Sequence, residues 1–222
     1  MLATARWTAI GQSIYSRLAN SGKYSTRSSG LQLERHSLNR NLAVAVARCL
    51  RVEVSGEFQR HVSEKFRGLA GSTAGGRWSP PGTYPVIYLG RPTDSVVVEA
   101  YRNLVEKVEG MRAEFVAPRR LLTCSVSVRD VLDLRVGSNM ELVGLSDNDL
   151  SGEWEPCQAV GRAAHQLGLH GILAPAATNL GETLAIFERH LEVEELPILI
   201  KEERWPQLPA DPRTLRLLRR SE

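Results

Sequence analysis

The chain has 222 residues and a mass of 24.6 kDa, a length that suits one ordinary domain with a sizeable core. Its 42% hydrophobic and 24% charged residues exclude collagenous, wholly disordered and membrane-embedded classes. No apolar run approaches the roughly 18 residues that a membrane helix needs. Three scattered cysteines, Cys49, Cys124 and Cys157, do not make a disulfide framework, so we expect a reducing, cytoplasmic compartment.

The net charge of +3 is unevenly distributed along the chain. Residues 1–52 hold eight Lys or Arg and a single acid, Glu34, whereas the remaining 170 residues are net acidic. The basic pI therefore reflects a solvated arm, and we expect no direct contact with nucleic acid. We divide the chain into a basic extension over 1–50, poorly ordered or a peripheral helix, a domain over 51–210 and a basic tail over 211–222.

Periodicity and turn residues predict the elements in chain order. Helices are expected over Ile10–Leu18 and over Leu42–Val52, the second packing on the domain, and the glycines and prolines of Gly68–Gly82 indicate a loop. The later predicted elements are a strand over Val86–Leu89, a helix over 94–109, a strand over Leu121–Val128, a loop or short turns over 137–152, a helix over Glu155–Leu167, and strands over Gly171–Ala174, Thr183–Phe187 and Ile198–Ile200. This irregular mixture predicts a mixed α/β or α+β domain.

Three residues near the glycine loop carry the chemistry. Arg77 on a glycine loop suits a phosphate or a carboxylate, because the backbone allows close approach and the guanidinium gives paired hydrogen bonds. Tyr88, at a strand end, can stack on a flat ring, and Glu99, early in a helix, can stabilise positive charge at an anomeric carbon. Together they predict a site that binds a dinucleotide and cleaves its ribosyl bond. The structural alternatives are an ion pair for Arg77, core packing for Tyr88 and a helix-dipole contact for Glu99.

The chain resembles the RES domain, the toxin half of RES/Xre toxin–antitoxin pairs, from about Glu57 to Pro209. The resemblance rests on the following segments and residues: Phe58-Gln59-Arg60, Gly75-Gly76-Arg77-Trp78, Val86-Ile87-Tyr88-Leu89, Glu99, Gln158 with Gly161, Gly171-Ile172-Leu173-Ala174-Pro175-Ala176, and Thr183-Leu184-Ala185-Ile186-Phe187. It implies an ADP-ribosyltransferase-like fold, with short strands in small sheets flanked by helices. It also implies an enzyme that depletes NAD by hydrolysis, or by phosphorolysis with inorganic phosphate as co-substrate.

The same resemblance implies a partner and a set of site residues. The partner is an Xre-type helix-turn-helix antitoxin that covers the active site in a hetero-oligomeric complex. Arg60 and Arg77, beside Gly76, are expected to neutralise the pyrophosphate, Tyr88 to orient the nicotinamide-ribose end, and Glu99 to stabilise the ribosyl cation. Nicotinamide leaves as a neutral molecule, so the site needs no strong general acid, and we expect no metal and no cofactor besides the substrate NAD.

One position departs from the family pattern. Where the family has a serine after a proline, this chain has Pro175 followed by Ala176, and Thr178, a backbone amide or a water must supply that contact. Loss of one such hydrogen bond is worth about 0.5–1.5 kcal/mol, roughly tenfold in affinity or rate. Two alternatives therefore stay open: a weakened protein that binds NAD and an antitoxin, and an ADP-ribosyltransferase that modifies a macromolecule.

Other residues receive a structural interpretation. His165 and His170 lie near Cys157 in sequence, but no further ligand stands at a workable spacing, so they are not expected to bind a metal. Trp154 and Trp205 are interpreted as core or edge fillers.

Overall fold

The computed structural model describes residues 41–66 and 68–214, all within one compact unit, Asn39–Glu222. The predicted helix over Ile10–Leu18 and most of the basic tail over 211–222 lie outside the described residues. Within them the chain mixes helices and strands, which confirms the predicted fold class.

The described residues form one sheet of six strands, and the pairings of five of these strands close into a ring. The strands are β1 (Arg51–Ser63), β2 (Val86–Arg91), β3 (Arg119–Asp133), β4 (Gly171–Pro175), β5 (Glu182–Phe187) and β6 (Ile198–Trp205). Their order is β1-β2-β5-β4-β3-β6, and β1 also pairs with β3, so β6 extends the ring at its edge. β1 pairs with β3 along its whole length but meets β2 only where Gln59 faces Gly90. The ring is therefore thinnest between β1 and β2.

Besides a helical turn over 212–214, the described residues contain five α-helices. They are α1 over 41–48, α2 (Thr93–Tyr101), α3 (Gly137–Leu142), α4 (Asp147–Ser151) and α5 (Glu155–Gln166). α2 continues directly into a π-helical turn, Arg102–Glu106, whose wider winding changes the direction of the side chains that follow. The segment predicted as a loop or short turns, 137–152, contains the two short helices α3 and α4.

Both faces of the central strands carry buried hydrophobic side chains. In β2, Val86 joins one buried cluster and Ile87 the other, and β4 and β5 alternate in the same way because successive side chains of a strand point to opposite faces. α1 belongs to this core: Val46 is fully buried, and the Asn139 side chain bonds both backbone groups of Leu50, at 3.0 and 3.1 Å. The helix therefore packs on the domain, as its apolar sequence predicts.

The strands differ from the predicted ones in length and number. β1 was not predicted, and it begins at Arg51, so the helix expected over Leu42–Val52 ends at residue 48. A register shift between Val52 and Val54, together with the positive φ of Gly56, interrupts the alternation that would reveal a strand. β1 and β3 run for 13 and 15 residues in one sheet, where short strands in small sheets were expected.

Candidate active site

A cleft of about 460 Å³ opens where β1 and β2 diverge. Two walls enclose it. The loop wall consists of residues 75–78 of the glycine loop with Tyr88 behind them, and the helix wall is one face of α2 and its π-helical turn. Residues 59–61 of β1 form the floor between them.

Arg60 enters the cleft from β1. It lies between the buried Phe58 and Val62 in the two-residue repeat of the strand, so its side chain takes the inward direction. Its guanidinium lies over the Phe66 ring, 5.6 Å from the centroid, and donates a hydrogen bond to the Ala70 carbonyl at 3.3 Å. Burial lowers the pKa of Arg60, but an arginine side chain stays charged, so the floor carries a fixed positive charge.

The loop wall brings Arg77 and Tyr88 to the cleft. Arg77 Nη1 donates to the carbonyls of Asp149 at 2.9 Å and Gly152 at 3.3 Å. The Tyr88 phenol oxygen accepts the Trp78 backbone N–H at 3.0 Å. A Cβ on Gly76 would lie 2.6–2.9 Å from atoms of the Tyr88 side chain, so only glycine lets the ring rest against this backbone.

The Tyr88 phenol is neutral at physiological pH. Burial raises its pKa, although hydrogen bonds from Ser79 and Trp78 act in the opposite direction. Tyr88 therefore serves as a fixed polar ring and does not act as a base.

Helix α5 and Tyr84 hold the loop wall in place. A Cβ on Gly161 would lie 2.0 Å from the Trp78 carbonyl oxygen, so the helix and loop backbones are in direct contact. Gln158 Nε2 donates to the Gly76 carbonyl at 2.9 Å, and the Tyr84 hydroxyl donates to the Trp78 carbonyl at 3.0 Å. Gln158 and Gly161 belonged to the family resemblance, and the structure gives them this supporting role.

The helix wall presents one stripe of polar side chains. Ser95, Glu99, Asn103 and Lys107 recur every four residues, and all four line the cleft. Glu99 accepts a hydrogen bond from Asn103 Nδ2 at 2.8 Å, and Lys107 Nζ donates to Asn103 Oδ1 at 2.7 Å. Asn103 and Lys107 were not predicted from the sequence, although their four-residue spacing from Glu99 was a usable signal.

Arg102 also lines the cleft and was missed as well. It lies at the start of the π-helical turn, outside the stripe of residues that recur every four positions from Ser95 to Lys107. Its guanidinium donates to the carbonyls of Ala177 and, at 3.3 Å, Ser151.

Five of the predicted residues come together in the cleft: Arg60, Gly76, Arg77, Tyr88 and Glu99. The other two do not line it. Ala176 is 3% exposed, with its methyl in the core. Thr178 accepts the Leu180 N–H at 3.3 Å, and its hydroxyl lies 3.1 Å from that of Ser95, which does line the cleft. A binding role for Ala176 and Thr178 stays a prediction.

The charges of the cleft are strongly one-sided. Among the described residues, four cationic side chains line it and Glu99 is the one carboxylate. The cations are Arg60, Arg77, Arg102 and Lys107. His61 adds no charge, because burial, Arg119 and Arg60 lower its pKa to about 3.

The part of the chain that the structure describes shows neither a metal site nor a membrane-spanning helix. It contains no group of three or more His, Cys, Asp or Glu side chains arranged to hold a metal ion. Its helices are all too short or too polar to cross a membrane.

Fold and site define an α+β domain whose described residues line a cationic cleft with a single carboxylate. The model of the RES domain matches residues 48–211, and the chain belongs to the RES domain family, as the sequence analysis predicted.

Named relatives agree with this assignment. The NAD(+) phosphorylase MbcT of Mycobacterium tuberculosis and that of Mycobacterium bovis are each 34% identical over 151 residues, which cover 66% of this chain and 81% of the relative. The crystal structure of the M. tuberculosis MbcT-MbcA toxin-antitoxin complex holds a similar chain, with a TM-score of 0.69 and 31% identity. That match covers 82% of this chain and 99% of the other.

Proposed function

We propose that this protein is the toxin of a toxin–antitoxin pair and that it cleaves the bond between nicotinamide and ribose in NAD. The observation that carries the proposal is the Glu99 carboxylate, held in a cleft whose other charged side chains are cationic. This combination suits a substrate that carries negative charge along its length and develops positive charge at one carbon. The two phosphorylase relatives support the choice of NAD.

The cations account for binding of the pyrophosphate. Arg60 lies on the floor, Arg77 on the loop wall and Arg102 on the helix wall, so they surround the cleft. Each guanidinium has five N–H donors and uses only one or two on protein carbonyls, so donors remain for phosphate oxygens.

The reaction needs charge stabilisation more than proton transfer. As the C1′–N bond breaks, its electron pair goes to the nicotinamide ring nitrogen, and nicotinamide leaves as a neutral molecule. The ribosyl carbon becomes positive, and the Glu99 carboxylate stabilises it. Asn103 holds that carboxylate at 2.8 Å, while the neutral Tyr88 phenol orients the nicotinamide-ribose end.

Phosphate is the acceptor in this proposal. A pyrophosphate carries two negative charges, whereas the cleft offers four cations against one carboxylate, so positive charge remains for a third anion. An oxygen of inorganic phosphate forms the new bond to C1′ and gives ADP-ribose 1″-phosphate. Hydrolysis follows the same course with water as the nucleophile, and phosphate dependence distinguishes the two.

A protein antitoxin completes the proposal. The crystal structure that this chain resembles is that of a toxin-antitoxin complex. Co-expression with a helix-turn-helix protein encoded beside this chain is expected to give a hetero-oligomer on size exclusion and to suppress growth arrest. Failure of any such protein to bind would contradict this part of the proposal without affecting the chemistry.

Free nicotinamide released from NAD by the purified protein, with and without phosphate, tests the chemistry. Release that needs phosphate and disappears in Glu99→Ala is the expected result. Asp94→Asn is the matched control, because Asp94 is an exposed carboxylate on the same helix that does not line the cleft. Retained release in Glu99→Ala would contradict the site.

Two further outcomes correspond to the alternatives left open by the sequence. Calorimetric binding of NAD by a folded wild-type protein, with no nicotinamide released, would mean that the fold binds without turnover. Label from NAD found on a protein or nucleic acid would identify a transferase instead.

A further inference from the structure

Trp154 differs from the buried tryptophans of the domain. Trp78 is 1% exposed and Trp205 is 7% exposed, whereas Trp154 is 38% exposed and lines the cleft. It follows α4 and directly precedes α5. The sequence analysis interpreted Trp154 as a core or edge filler; in the structure its partly exposed ring lies at the cleft, where a ligand can contact it.

Lys107 holds this ring at the end of the helix wall. Its ammonium lies 4.9 Å from the centroid of the Trp154 ring and donates to Asn103 Oδ1 at 2.7 Å. A cation over an indole is attracted to the ring face, so this contact stabilises the orientation of Trp154. The result is an aromatic platform beside a positive charge.

The arginines of the cleft anchor the segment that leads to Trp154. Arg77 donates to the Asp149 and Gly152 carbonyls, and Arg102 donates to the Ser151 carbonyl at 3.3 Å. The same guanidinium groups are proposed to bind the pyrophosphate. The platform is therefore fixed relative to the phosphate-binding groups.

The order of groups along the helix wall matches the order of groups in a dinucleotide. Glu99 comes first, Arg102 follows, and Lys107 with Trp154 comes last. Asn103 lies between Glu99 and Lys107 and bonds to both side chains, so Glu99 and Lys107 stand at opposite ends of this stripe. A substrate whose reacting ribose lies at Glu99 and whose phosphates lie at Arg102 thus places its second base near Trp154.

We infer that Trp154, backed by Lys107, stacks on the adenine ring and makes the protein selective for a dinucleotide over a nicotinamide mononucleotide. This inference deepens the proposed function and depends on it for the orientation of the substrate. Trp154 is a specificity residue in this scheme, because it touches the substrate far from the bond that breaks.

Binding of ADP, which holds the adenosine and both phosphates but no scissile bond, tests the platform directly. Because stacking of one base on an aromatic ring contributes substantially to affinity, we expect Trp154→Ala and Trp154→Leu to bind ADP at least about fivefold more weakly. Calorimetry measures this affinity. Trp154→Phe keeps an aromatic ring and is expected to retain most of the affinity. Unchanged ADP affinity in the leucine variant, or no ADP binding by wild type, would overturn the inference.

Phe115→Ala is the matched control. Phe115 is 65% exposed and lies 5.8 Å from the Arg112 guanidinium, so it is also an exposed aromatic ring beside a cation, but it does not line the cleft. It is expected to bind ADP as the wild type does. An equal loss in Phe115→Ala would assign the effect to the fold.

Kinetics separates an adenine contact from a general effect on the site. Trp154→Leu is expected to raise KM for NAD at least about fivefold with kcat nearly unchanged, and to leave kcat/KM for nicotinamide mononucleotide unchanged. Equal losses for both substrates would contradict the inference. Because ADP binding does not require turnover, an inactive wild type that binds ADP through Trp154 would refute the proposed function and leave the platform standing.

Discussion

The two walls of the cleft are built in different ways. The helix wall is one regular stripe, in which Glu99, Asn103 and Lys107 follow each other at four-residue intervals and bond to each other. The loop wall has no regular structure and is held by groups distant in sequence, chiefly Gln158 and Gly161. The helix wall therefore supports its own side chains, whereas the loop wall presents Arg77 and Tyr88 only because other elements hold it.

The difference predicts that a change in the helix wall removes chemistry and leaves the fold. Glu99→Gln keeps the shape and one acceptor oxygen for Asn103 but removes the negative charge. We expect nicotinamide release to fall by about 10²–10³-fold, comparable to loss of one stabilising group at a reacting centre. The thermal unfolding midpoint should stay at the wild-type value, and a large drop would mean that Glu99 also supports the fold.

A change behind the loop wall should affect stability and activity together. In Gly161→Ala the added Cβ would stand 2.0 Å from the Trp78 carbonyl oxygen, so α5 and the loop must separate. Overpacking of this kind lowers the free energy of unfolding by about 1–3 kcal/mol. In a domain of this size, each kcal/mol lowers the thermal unfolding midpoint by about 2–4 °C. Nicotinamide release should fall about tenfold or more because Tyr88 and Arg77 move with the loop.

Gly137→Ala is the control for this experiment. A Cβ at Gly137 meets no atom within 4 Å, and this glycine is not among those with a positive φ. Its unfolding midpoint and activity should match the wild type. Equal behaviour of the two alanine variants would show that α5 does not hold the loop.

Acid is expected to weaken the packing that holds the loop wall. Tyr84, which bonds the Trp78 carbonyl, stacks on His165 at 3.8 Å between ring centroids. Burial and, secondarily, His190 and Arg189 lower the pKa of His165 to about 4, and its Nε2 is buried without a partner in the described structure. The imidazole of His165 therefore binds a proton more readily in the unfolded chain than in the folded chain. The contribution of neutral His165 to the free energy of unfolding is complete above about pH 6.5 and is lost as the pH falls toward 4.

Unfolding midpoints at pH 7.5 and 5.0 test this sign. The midpoint of the wild type should fall by several degrees at pH 5.0, and the fall should be smaller in His165→Gln. A part of the fall should remain in that variant, because the pKa of His61 is also lowered, to about 3. A midpoint that rises on acidification would contradict the lowered pKa of His165 in the folded protein.

The smallest effect is expected from the hydroxyl pair of Ser95 and Thr178. Ser95→Ala removes one neutral hydroxyl from the helix wall, worth about 0.5–1.5 kcal/mol, so kcat/KM for NAD should fall by about tenfold or less. Thr178→Val should have a similar or smaller effect, and the double variant should add little, because the two hydroxyls act as a pair. Fully additive losses would mean that each hydroxyl contacts the substrate separately.

The sequence by itself determined the fold class, the family and the five cleft residues Arg60, Gly76, Arg77, Tyr88 and Glu99. The family and Arg60 came from the resemblance to the RES domain. The glycine loop with Arg77, Tyr88 and Glu99 could also be recognised from local chemistry, because glycine allows a close approach and hydrophobic spacing predicts a helix around Glu99. The rest of the site depends on which segments meet in space. Strand β1 was hidden by a bulge, and Arg102 is directed by a π-helical turn that no residue spacing announces.

Trp154 shows the same limit most clearly. From the sequence it is interpreted only as a core or edge filler, and the packing of α5 beside the glycine loop and the position of Lys107 bring its ring to the cleft. A side chain's type and its spacing within one element are local properties that a sequence carries directly. Contacts between elements far apart in the chain depend on the closure of the whole sheet, so the tertiary structure alone decided what holds the loop wall and what lies at the far end of the site.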